Sequence, residues 1–166
     1  MNWEAIGAVG EILGALAVLI TLIYLALQVR QNTRATNRTA FQELMNYYAQ
    51  ITSFASSREG AELLAKSRHG LESLDEPDRV RILNVTGQVF AHLQNAHQQW
   101  AEGFITDSQW RQISAVGNAL MTSEGTKVIW DITKDRYSTE FQNWLDGIKV
   151  DEQYVANMEE RFYPKA

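Results

Sequence analysis

Between Glu11 and Arg30 the chain carries no charge, and the intervening run Ile12–Val29 is almost wholly aliphatic. At 1.5 Å per residue a helix of this run spans roughly 27 Å, close to the hydrocarbon thickness of a bilayer. The core helix of a soluble domain would normally show a polar face every three or four residues. Here only Thr21 and Gln28 interrupt the apolar surface. A secretory signal would carry basic residues ahead of the run, whereas Glu4 and Glu11 precede it. The run therefore reads as a transmembrane helix, within a segment 1–30.

Composition extends that reading to the rest of the chain. The 166 residues leave room for one modest domain beyond the span, read as a helical domain over 31–149 with a tail over 150–166. A formal charge of −5 argues against nucleic acid as the main partner, because a phosphate footprint needs a net basic surface. With no cysteine there is neither disulfide nor thiolate chemistry, which fits a cytoplasmic domain. Only two prolines and ten glycines, among stretches rich in Ala, Leu, Gln, Glu and Arg, favour helices throughout. The fold expected is all-α: an N-terminal transmembrane helix continuing into a cytoplasmic helical bundle. Arg30, Arg34 and Arg38 follow the span and place the domain inside by the positive-inside rule, with Trp3 as an outer interfacial anchor.

A second pattern lies within the span. Glu4, Gly7, Glu11, Gly14, Val18 and Thr21 share one helical face, and Gly10 with Gly14 forms a G-x-x-x-G pair. Small residues allow close approach of membrane helices, and a carboxyl near the membrane is costly unless it faces protein or water. Gly7, Gly10, Glu11, Gly14, Val18 and Thr21 are thus the expected oligomerisation surface. Arg30, Arg34 and Arg38 step by four and form a stripe suited to lipid headgroups.

Past Arg30 nothing stops the helix before Ser56, since 31–56 lacks both Gly and Pro. Ser57–Gly60 reads as a break, 61–68 as a short helix, and His69-Gly70 as its stop. Ser73–Pro77 opens the longest helix of the domain, 77–102, with Ile82, Val85, Val89, Leu93, Ala96 and Trp100 as its core seam. Asn84, Gln88, Asn95, Gln99 and Glu102 form its polar side. Thr106–Gln109 caps a helix to Met121 with Trp110, Ile113, Val116 or Gly117, and Leu120 inward. Ser123 starts another to about Arg136, and Ser138 a last one ending at Asp146-Gly147. The tail is acidic, with Tyr154, Met158, Phe162 and Tyr163.

The stretches Trp3-x-Ala-Ile-Gly-Ala-x-Gly-Glu-Ile12, Gln28–Thr33, Phe90–Asn95 with Trp100, Gly103–Trp110 and Tyr137–Phe141 together resemble a widespread group of bacterial membrane-anchored proteins of undefined activity. The resemblance covers most of the chain in order. It implies a bacterial single-pass helical protein and no functional residue; with the span and its flanking charges, the expected location is the inner membrane.

No residue set names a reaction. His92 and His97 stand five apart and do not share a face as a metal pair would, and His97 reads as a hydrogen-bonded core histidine. His69 suits a helix C-terminus. The serines fall at caps without a G-x-S-x-G context, and there is no phosphate loop. Trp100, Trp110, Trp130 and Trp144 read first as core packing and second as the lining of a small-molecule pocket. The function expected is non-enzymatic: a self-associating, membrane-anchored interaction protein. It would need no cofactor or metal, and its partners would be the bilayer, further copies of itself and a further protein. An oligomeric ion channel with Glu4 and Glu11 at its outer mouth is one alternative. A membrane-anchored small-molecule sensor is the other.

Overall fold

The computed structural model describes residues 2–150 together with 153, 156, 157 and 160. The expectations for Tyr154, Met158, Phe162 and Tyr163 lie outside the described residues. The fold is all-α, with six α-helices and no strand among the described residues: α1 Trp3–Ser56, α2 Arg58–Ser67, α3 Glu76–Ala101, α4 Asp107–Leu120, α5 Glu124–Thr133 and α6 Thr139–Asp146. The chain divides into two compact units, 1–40 and 41–166. α1 is one uninterrupted helix of 54 residues, as the absence of Gly and Pro over 31–56 permits.

Within the first unit every described side chain from Asn2 to Thr36 is exposed. Within α1 an 18-residue window has a mean hydropathy of 2.5 and none of it is buried, so the helix is long and apolar enough to cross a membrane. That separates it from a core helix, whose apolar residues would be covered.

The second unit is built around α3, which packs on α2, α4 and α5. Its core joins Leu44 and Ile51 of α1 to Leu63, Ile82, Phe90, Leu93, Ala96, Ile113, Ile129, Trp130, Phe141 and Leu145. α3 starts one residue earlier than the sequence suggests, because Asp75 accepts the Asp78 N–H and leaves Glu76 and Pro77 in the first turn. α4 opens with a reciprocal capping box between Thr106 and Gln109. α5 and α6 are capped by Ser123 and Ser138, whose hydroxyls accept the amides of Thr126 and Phe141.

Two further boundaries and one inward-facing position differ from the sequence-based expectation, each for a local reason. Ser57 alone breaks the chain: its hydroxyl caps α2 by accepting the Gly60 N–H, so Gly60 lies inside the helix. A Cβ at Gly60 would collide with the Phe54 carbonyl oxygen, so only glycine lets this turn sit against the end of α1. α5 stops at Thr133 and tightens into a 3-10 turn over Lys134–Arg136 before the chain reverses. On α4 the inward residue is Gly117, with Val116 half-buried; a Cβ at Gly117 would stand 2.7 Å from Cη2 of Trp144.

Candidate functional site

On α1, a Cβ added at Gly7, Gly10 or Gly14 would meet nothing within 4 Å. Glu11 is exposed and Val18 is 60% exposed, so this face carries no covering group within the described chain. The Thr21 hydroxyl donates to the Ala17 carbonyl at 2.8 Å, which satisfies a polar group in a helix that offers it no other partner nearby. Arg30, Arg34 and Arg38 are exposed along the same helix.

In the helical domain the tryptophans pack on other rings. Trp100 stacks on Trp110 with centroids 5.5 Å apart, and Trp144 lies 4.9 Å from Trp110. Trp130 meets Phe90 edge-on at 5.0 Å and donates its indole N–H to Asp146 Oδ1 at 2.6 Å. None of the four lines the three clefts described in the domain. His97 sits in the same cluster, 5.4 Å from Trp110 and 5.8 Å from Trp100, half-buried and held by rings. Burial lowers its pKa, and Glu140 acts in the opposite direction.

The buried histidine is His92, 2% exposed, and neither of its ring nitrogens has a hydrogen-bond partner. α1 supplies its neighbours: the rings of Tyr47 and Tyr48 lie 5.4 and 6.1 Å from the imidazole. A cleft of about 310 Å³ runs beside it, lined by Glu43, Leu44, Tyr47, Ala91, His92, Asn95 and Gln99. Gln99 donates Nε2–H to Asn95 Oδ1 at 3.2 Å, while its own Oε1 is buried without a partner. Sequence reasoning missed this site because its two walls come from residues 43–47 and 91–99, a pairing that only the packing of α1 on α3 creates. The one signal was that His92 follows Val85 by seven residues, on the seam that faces the core.

Burial lowers the His92 pKa below its ordinary 6.5. The unfolded chain therefore takes up protons that the fold refuses as pH falls below that value. Stability is lost in that direction, down to the folded-state pKa. Thermal unfolding followed from about pH 8 to about pH 5 should show a falling midpoint, and His92→Phe should flatten the fall, leaving the share due to His97.

Among the described residues no group of three or more His, Asp or Glu side chains converges to hold a metal ion. Among the described residues the geometry thus defines an all-α protein with an uncovered apolar helix and, beside the buried His92, a cleft with polar walls. No family model, curated protein or solved structure matches the chain.

Proposed function

We propose that the chain is a non-enzymatic protein anchored by α1 in a bacterial inner membrane, self-associating through that helix and displaying its helical domain to the cytoplasm. The observation that carries this reading is the apolar window of hydropathy 2.5 that nothing covers. A cylinder roughly 27 Å long and about 10 Å across has a lateral envelope on the order of 850 Å². Soluble monomers rarely expose an apolar patch larger than about 300–600 Å². A bilayer is the solvent that removes the penalty, and it leaves no backbone group of an unbroken helix unsatisfied.

Orientation follows from charge: Arg30, Arg34 and Arg38 lie beyond one end of the run and Glu4 and Glu11 at the other, which favours the domain inside. Self-association is supported by the open space over Gly7, Gly10 and Gly14, where a second helix could approach to backbone distance. Glu11 on the same face would then be turned toward protein instead of lipid.

The test is native mass in mild detergent. The wild type is expected as a defined oligomer, Gly14→Leu as a monomer, and Leu16→Ile, on the opposite side of the helix, as the wild-type species. A monomeric wild type would contradict self-association and leave α1 as a simple anchor.

A further inference from the structure

We propose that the cleft between α1 and α3 binds a small organic cation bearing N–H donors, an alkylamine or a guanidine. Buried polar groups in folded proteins are hydrogen-bonded with few exceptions. Here three unpartnered buried atoms, both His92 nitrogens and Gln99 Oε1, belong to two side chains of one cleft wall. At about 310 Å³ the cleft has the size of a small-molecule site.

The chemistry of the wall selects the occupant. Gln99 Oε1 can only accept, and a neutral imidazole offers one acceptor and one donor. Asn95 Oδ1 is already occupied by Gln99 Nε2–H. What the wall lacks is therefore mainly N–H. Glu43, exposed at the rim, is the one carboxylate among the lining residues, and no Lys or Arg faces it there. An anion would meet that carboxylate without a counter-charge. A cation gains it, together with the face of the Tyr47 ring. Tyr47, 39% exposed, packs 5.4 Å from the imidazole, and the proposal requires its ring to turn aside for a ligand to reach the buried nitrogens of His92.

The probes are putrescine and agmatine, with 1,4-butanediol and succinate as neutral and anionic counterparts. Each is titrated by calorimetry into the full-length protein in detergent, at about pH 8 so that the imidazole is neutral. Saturable binding of an amine is expected, with neither counterpart binding. Glu43→Gln and Gln99→Leu should each weaken it about tenfold or more, as loss of a hydrogen bond to a charged group does. His92→Phe should abolish binding and raise the melting temperature of the ligand-free protein, since it removes the unpaired nitrogens. Should that variant fail to fold, the Glu43→Gln and Gln99→Leu titrations decide together. No saturable amine binding to the wild type overturns the proposal. So does binding unchanged by both Glu43→Gln and Gln99→Leu, or succinate binding as tightly as the amines.

Discussion

Trp130→Ala is expected to lower the stability of the helical domain by about 3–5 kcal/mol, the cost of emptying a large aromatic site in a packed core. Trp130 is 1% exposed and touches Phe90, Tyr137 and Phe141, so its removal opens a cavity bounded by α3, α5 and α6. It also removes the indole that donates to Asp146, the residue that ends α6. Three rings lose their partner, and none can collapse inward without leaving its own contacts. For a domain of about a hundred residues a loss of ~4 kcal/mol shifts the melting temperature by roughly 15 °C or more. Thermal unfolding by circular dichroism measures it. Trp130→Phe, which keeps a ring but not the N–H, should fall between the two.

The second large effect concerns the other unit. Replacing Leu19 and Leu22 together by Arg places two charges at the middle of the apolar run, each costing about 2.5–3.5 kcal/mol on insertion. The sum, ~5–7 kcal/mol, is enough to move the chain out of the membrane fraction. Both leucines are exposed, at 54% and 58%, so the double variant should leave the melting temperature of the helical domain unchanged. A loss of domain stability would mean that these leucines are covered by the protein itself.

Most of the architecture was legible because it is local. The length of α1 follows from 31–56 having neither Gly nor Pro, and the starts of α4, α5 and α6 follow from Thr106, Ser123 and Ser138. Asp75 before Pro77 did the same for α3, within one residue. What escaped depends on contacts between elements. Gly60 reads as a breaker, yet it is a point of close approach to Phe54. Gly117 and Val116 could not be ranked without Trp144, which lies far along the chain and fills the space a side chain at 117 would need. Val85 reads as a seam residue but is half-buried, while Thr86 and Phe90 take the deeper positions.

The candidate site divides along the same line. The apolar run and its glycine face are continuous in sequence and could be read directly. The cleft could not, because Tyr47 and His92 are brought together only by the packing of α1 on α3. Periodicity marks His92 as inward-facing but is silent about what surrounds it. The unpartnered nitrogens become visible only once every neighbour is in place.

The central claim is that α1 anchors the chain in a membrane. It is tested most directly by the fraction of wild-type protein that stays in the membrane pellet after an alkaline carbonate wash, beside the Leu19→Arg, Leu22→Arg double variant. The wild type is expected to remain in the pellet and the double variant to be released. Release of the wild type, with its domain folded, would contradict it. The apolar helix would then be covered by another protein instead of by lipid.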